Sequence, residues 1–239
     1  MLIDAGLSAT ELLRRMALAG LDPLSLDGLV VTHEHRDHTC GVGVLARKLG
    51  LKLFAPEGVA GEISRVYGQN ALRGLKIHEF LPGEVFEAGA LEFSSFPTSH
   101  DAHASVGFCV RDGEKSLGFA TDLGIAPSAV AECLCGCDII YLEANHDEDM
   151  LASGPYPSFL KRRIFSDVGH LSNAGAGELL SRIIHKDLST VVLAHLSEVN
   201  NKPSLAYDAA MAALDAAGAG RDVTLLVARQ DRPGRVVKV

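Results

Sequence analysis

The chain has 239 residues, enough to bury a substantial core as one large domain or two small ones. Hydrophobic residues make up 47% and charged residues 22%, an ordinary balance for a folded soluble chain, and no apolar run approaches the roughly 20 residues that span a bilayer. The formal net charge of −8 disfavours any partner that needs a broadly basic surface, so nucleic acid fits only where basic residues cluster locally.

In chain order, short strand-like runs alternate with helical patterns. Ser8, followed three residues later by Glu11, is a capping-box pattern opening a helix over SATELLRRMALAG, and Gly20 is placed to end it. LDGLVVT reads as a buried strand, GVGVLARKLG as a helix closed by Gly50, LKLFA as a strand and GVAGEISRVYG as a helix. LEFSSFP, VGFCVR and SLGFAT then follow as three strands in succession. A helix near Ala126 to Leu134 and the strand DIIYLEA come next. SNAGAGELLSRIIH carries Ala176, Leu179, Leu180, Ile183 and Ile184 as the apolar stripe of an amphipathic helix. TVVLAH, the helix SLAYDAAMAALDAAG and the strands VTLLVA and RVVKV complete the chain. The alternation predicts a single α/β domain over residues 1–239, with sheets and helices in layers. The opening MLIDAGLSATELLRR lacks a basic segment leading into an apolar one, and five cysteines are an odd number for a disulfide framework. The expected location is the cytoplasm, with no membrane partner.

Chemistry collects where strands end. His33 follows LVVT, His100 follows EFSSFPTS, Asp122 follows LGFAT, His195 follows VVLA, and Asp4 follows LI. In layered α/β folds such positions bring functional side chains together on a rigid support. The stretch VVTHEHRDH adds His35, Asp37 and His38 to His33 within six positions. The alternation can send His33 and His35 one way and Asp37 with His38 another, which suits two neighbouring metal ions better than one. A closed structural zinc site uses four ligands, usually with cysteines among them. Here the donors are imidazoles and carboxylates, in surplus, which points to positions open to water and substrate. Such donors suit zinc and also admit manganese.

THEHRDH resembles the signature of the metallo-β-lactamase superfamily. LIDAGLS, GVGVLARK, PTSHDA, GFATDLG, LEANHDEDML, GPYPSFLKRRI, SDVGHLSN and LAHLSEVNN extend the resemblance to the bacterial WalJ/YycJ group of 5′-to-3′ exonucleases. The resemblance implies an αββα sandwich of two mixed sheets with a dimetal site at one edge. It also implies a cytoplasmic nuclease that uses two divalent metal ions, Zn²⁺ or Mn²⁺, and takes double-stranded DNA as substrate. Carried over by position, His33, His35 and His100 would hold one metal, Asp37, His38 and His195 the other, and Asp122 both. Asp4 would support the ligand loop from behind, and His103 competes with His100 for its role. The flavodiiron branch of the superfamily has a glutamate where this chain has His35, so oxygen or nitric oxide chemistry is not expected. A water shared by the two metals would be the nucleophile, with Asp37 both a ligand and an acceptor from it.

The leaving 3′ oxygen needs a proton, for which His170 and His146 are the candidates; His170 also reads as a helix-capping residue. The segment from Leu142 is similar to ribonuclease Z, but Leu142 stands where that family has a histidine, and His146 could be a displaced substitute. Lys161, Arg162 and Arg163 in FLKRRI read either as phosphate contacts or as a solvated helix face. With no tryptophan and 5% aromatics, extensive base stacking is not expected. Cys133, Cys135 and Cys137 lack zinc-knuckle spacing and read as buried thiols near a helix end. Against the resemblance, the family begins some two dozen residues earlier with a strand and a small-residue loop, so either the start is misassigned or part of the first sheet is missing, which would leave the strand bearing Asp4 weakly anchored. Two other readings stay open. One is a small-molecule phosphodiesterase or thioester/lactone hydrolase with the same metals, and the other is a catalytically impaired metal-binding module.

Overall fold

The computed structural model describes residues 1–237, and the chain divides into two compact units. The first comprises Met1–Pro97, Ala102–Val106 and the segment from Gln230; the second comprises Thr98–Asp101 and Gly107–Arg229.

In the first unit, strands β1 (Leu2–Ile3), β2 (Gly28–Val30), β3 (Lys52–Pro56) and β4 (Ile77–Phe80) form an all-parallel sheet in that order. The parallel order needs crossovers, which helices supply: α1 (Ala9–Leu18), a short 3₁₀ turn at Pro23–Ser25, α2 (Arg36–Thr39), α3 (Val42–Leu49) and α4 (Val59–Tyr67). Ser8 caps α1 by accepting from the Glu11 amide at 3.3 Å. The Glu11 carboxylate turns away from the reciprocal half of the box to pair with Arg14 and Arg15 at 2.7 Å. Gly50 closes α3 in the left-handed region, φ +68°. Leu29, Val31, Leu45, Leu53, Val59 and Ile63 bury the unit's core, matching the uninterrupted apolar runs that a covered parallel sheet requires. A hairpin, β5 (Val85–Ala88) and β6 (Leu91–Pro97), turns at Gly89 with φ +62°.

The second unit holds β7 (Val106–Arg111), β8 (Ser116–Ala120), β9 (Ile139–Glu143), β10 (Thr190–Ala194) and β11 (Thr224–Val227), adjacent in that order. β7 and β8 are antiparallel, and every later pair is parallel. Helices α5 (Ser128–Leu134), α6 (Glu148–Ser153), α7 (Ser158–Ile164), α8 (Asn173–Ile183) and α9 (Pro203–Ala216) make the crossovers. Leu142 lies opposite both Ala120 and Leu193, so β8, β9 and β10 end in register and release their next residues at one edge. Phe108, Leu134, Ile140, Leu142, Leu179 and Leu193 are fully buried beneath that edge. No described helix is long and apolar enough to cross a membrane.

Some sequence expectations need correcting. β4 and β5 are strands that the sequence reading passes over, because both are only four residues long, with two exposed positions each. RVVKV is not a strand where it is described: residues 233–237 run without regular structure, and residues 238 and 239 lie outside the described residues. Of the three alternating cysteines only Cys137 is buried, 3.5 Å from Cys109 sulfur to sulfur, while Cys133 and Cys135 are exposed.

Candidate metal centre

In the first unit the chain leaves β2, bends at Thr32 and again at Glu34 on either side of His33, and enters the single turn of α2 after His35. The Thr39 hydroxyl closes that turn on the carbonyls of Glu34 and His35, at 3.0 and 2.8 Å. This path puts the His33 ring 4.2 Å from that of His38 and 4.6 Å from that of His35. Asp37 Oδ2 lies 3.7 Å from His38 Nε2, and its side chain is 69% exposed. Asp4 braces the cluster from the end of β1. Its carboxylate accepts from the Thr32 amide at 2.8 Å and the Thr32 hydroxyl at 2.9 Å, and Oδ2 lies 2.7 Å from His38 Nδ1. Gly6 lets this loop close down: a β-carbon there would stand 1.5 Å from the Asp37 carbonyl oxygen, so no other residue fits.

In the second unit, His100, Asp122, His170 and His195 surround one carboxylate oxygen. Asp122 Oδ1 is 3.5 Å from His100 Nε2, 3.7 Å from His195 Nε2 and 3.6 Å from His170 Nδ1. Glu143, the last residue of β9 and wholly buried, holds the group together. Its Oε1 lies 2.8 Å from His170 Nδ1 and 2.7 Å from His195 Nδ1, and its Oε2 accepts from the amides of Leu123 and Leu171 at 2.8 and 3.1 Å. Burial alone would raise the Glu143 carboxyl, but the charge and hydrogen bond of His170 and the bond from His195 outweigh it and hold it well below the usual carboxylate range. Glu143 is absent from the sequence reading. The signal was present, since it stands at a strand end as Asp122 does, but as the last residue of its strand rather than just beyond it.

These contacts set which nitrogen faces outward. The Gly169 carbonyl only accepts, so His100 Nδ1, 3.1 Å away, carries the proton and Nε2 keeps the lone pair toward Asp122. The carboxylates of Asp4 and Glu143 do the same for His38 and His195. Imidazoles oriented through one nitrogen by a carboxylate or carbonyl are the usual support for metal ligation through the other. The 3.5–3.7 Å gaps around Asp122 are long for hydrogen bonds but close to the roughly 3.4 Å that separates two atoms bound to one zinc at tetrahedral angles. Asp122, Glu143, His170 and His195 each offer a donor atom within 4.8 Å of the others. The residues fit a divalent metal.

Backbone strain falls on the same positions. Asp4, Asp122 and His195 have φ of +60°, +59° and +58°, and they are the non-glycine residues with positive φ among the described residues. Each sits where a strand ends and its side chain must turn into the site, a conformation tolerated only when surrounding contacts fix it.

The remaining sequence candidates are placed elsewhere. His103 belongs to the first unit, where its amide donates to Glu34 at 2.8 Å and its ring packs on Gly58. His146 is buried beyond the end of β9, and its ring makes no bond to Glu143 or Asp122. On α7, Lys161 donates to the Ala152 carbonyl at 2.7 Å, Arg163 engages Asp101 with two nitrogens, and Arg162 is exposed.

The family model described as the beta-lactamase superfamily domain matches residues 1–196. Exodeoxyribonuclease WalJ of Streptococcus pneumoniae is 38% identical over 209 residues, which is 87% of this chain and 77% of that protein. Exodeoxyribonuclease YycJ of Bacillus anthracis is 36% identical over 222 residues, covering 92% of this chain and 83% of its own. The metallo-beta-lactamase fold protein YhfI of Bacillus subtilis superposes with a TM-score of 0.67 at 16% identity, over 95% of this chain and 83% of that one.

Proposed function

The chain belongs to the beta-lactamase superfamily and has the metallo-β-lactamase fold, and on that footing we propose that it is a metal-dependent phosphodiester hydrolase, a 5′-to-3′ exonuclease of double-stranded DNA. The observation that carries the reading is 36–38% identity, over most of the length of each chain, to two proteins named as exodeoxyribonucleases. The two donor sets supply the chemistry such an enzyme needs.

In this reading His33, His35, Asp37 and His38 of the first unit, and His100, Asp122 and His195 of the second, hold two divalent ions. Imidazole with carboxylate suits zinc or manganese. When bound, such ions lower the pKa of water and offset charge on phosphoryl oxygens. Asp4 and Glu143 fix the imidazoles of His38 and His195 in the tautomer that ligation needs. Asp37, the exposed member, accepts the proton of the attacking water. As the water oxygen bonds to phosphorus and the bond to the 3′ oxygen breaks, that oxygen takes a proton from His170 Nε2. As the proton leaves Nε2, Nδ1 of the same ring stays hydrogen-bonded to Glu143 Oε1, which holds the ring in place. His146 has no such partner, so the proton is assigned to His170 rather than to His146.

The test is digestion of 5′-phosphorylated, end-labelled duplex DNA with manganese or zinc, by the wild type and by Asp37→Ala. Metal-dependent loss of 5′ nucleotides by the wild type alone is the expected result. No digestion by a protein that still binds metal would move the activity to a smaller ester.

A further inference from the structure

A cavity of about 350 Å³ opens beside His170 in the second unit. Ile125, Phe165 and Leu179 line it together with the charged Glu178 and Arg182. His146 is set into the wall. It is 1% exposed, and neither ring nitrogen has a hydrogen-bond partner. A buried imidazole with both nitrogens unsatisfied has lost the hydrogen bonds it made to water without replacing them. Burial also pushes its pKa down, which favours the neutral ring with one donor and one acceptor. Phe165 meets that ring edge to face, 5.4 Å between centroids at 90°, and remains 48% exposed.

The occupant therefore has a flat apolar face to cover Phe165 and a polar edge that both donates and accepts toward His146. We propose that the pocket takes one nucleobase of the DNA strand being cut, stacked on Phe165 with its hydrogen-bonding edge turned to His146. The inference rests on the nuclease reading above and names a subsite for it. The volume lies at the low end of small-molecule pockets, which run about 300–1,000 Å³, and has room for a base, whose edge is no longer open to a pairing partner once it is turned to His146. The terminal pair has to open before its base enters, as in enzymes that draw a base out of the stack. One aromatic slot of this kind is consistent with a chain that has only 5% aromatic residues.

The test uses the metal-loaded protein and two variants, His146→Phe and Phe165→Ala, the second at a half-exposed position that leaves the core in place. Binding of the four 2′-deoxynucleoside 5′-monophosphates is measured by calorimetry, with inorganic phosphate as the control that has no base. Digestion of duplexes with and without a base on the terminal nucleotide is measured alongside. The wild type is expected to bind nucleotides more tightly than phosphate and to digest the base-bearing end faster. Each variant is expected to lose about tenfold in nucleotide affinity, to keep its phosphate affinity, and to treat the two ends alike. A wild type that binds nucleotides no better than phosphate overturns the pocket, as do variants that match the wild type in both measurements. A protein that shows the expected nucleotide binding yet digests no DNA keeps the pocket and overturns the nuclease reading. One that digests DNA with both measurements untouched by the substitutions does the reverse.

Discussion

At Glu143 one buried carboxylate accepts from two backbone amides and meets the Nδ1 atoms of two histidines, which uses nearly all its lone pairs. An amide in its place keeps the shape but points an N–H₂ group at one pair of donors. Glu143→Gln should therefore release either the histidines or the amides of Leu123 and Leu171, whichever way the side chain turns. Outer partners of metal ligands are worth about 10–100-fold in metal affinity or activity. The expected loss is of that size, read as a weakened metal dissociation constant in competition with a chelator and a matching fall in the rate of DNA digestion. Unchanged metal affinity with an unchanged rate would remove Glu143 from the positioning network. The contrast with His33, His35, Asp37 and His38 shows what sequence reveals at this scale. Those four stand within six positions, so spacing alone groups them. Asp122 and His195 are reached by the rule that chemistry collects just beyond strand ends. Glu143 escapes because nothing local separates a wholly buried carboxylate from a solvated one; that depends on partners 27 and 52 residues away.

Whole elements were legible where their signals are local. Ser8, Gly20 and Gly50 bound α1 and α3 because capping and left-handed closure involve only a few neighbouring residues. β4 is held by pairing to a partner that no short window contains, Leu53–Ala55 opposite Ile77–Glu79, whereas β5 pairs locally, Phe86 opposite Phe93, and is passed over because it is so short. RVVKV shows the opposite failure, a valine-rich run with no strand formed over its described part. The start of β9 is fixed in the same non-local way. Asp138 accepts from Lys115 Nζ and from the Ser116 amide and hydroxyl, each at 2.9 Å, and so fastens the first residues of β8 and β9 together. Chiefly through the Lys115 bond, its carboxyl is lowered to about 2. A carboxylate depressed in the folded state adds stability that is fully present above its unfolded pKa, about 3.9, and is lost as pH falls through the folded value. Asp138→Asn should therefore lower the urea midpoint at pH 7, and the gap from wild type should narrow from about pH 4 down to pH 2. A gap that stayed constant with pH would show that the ionised carboxylate is not what holds the two strand starts.

For the molecule as a whole, a net charge of −8 sets the terms on which DNA can be approached. At long range the chain repels phosphate, so productive binding depends on a few cations close to the nucleic acid and is felt only within about a Debye length, 8 Å at physiological ionic strength. The basic run on α7 is already partly committed. Lys161 is tied to the Ala152 carbonyl, and Arg163 spends its fork on Asp101, which leaves the exposed Arg162 as the member placed to meet a phosphate. Each phosphate neutralised on duplex DNA adds about −0.9 to the slope of log affinity against log salt. The wild-type slope should be shallow, as only a few such contacts are on offer, and Arg162→Gln should reduce its magnitude by about 1. Asp37→Ala, which removes an acceptor rather than a cation, should abolish digestion while leaving the Arg162 contribution to the slope in place. Filter binding of duplex DNA between 50 and 200 mM salt separates the cases. A slope that Arg162→Gln leaves unchanged would return α7 to an ordinary solvated helix face, and the phosphate contacts would have to come from the backbone amides and metal ligands of the site itself.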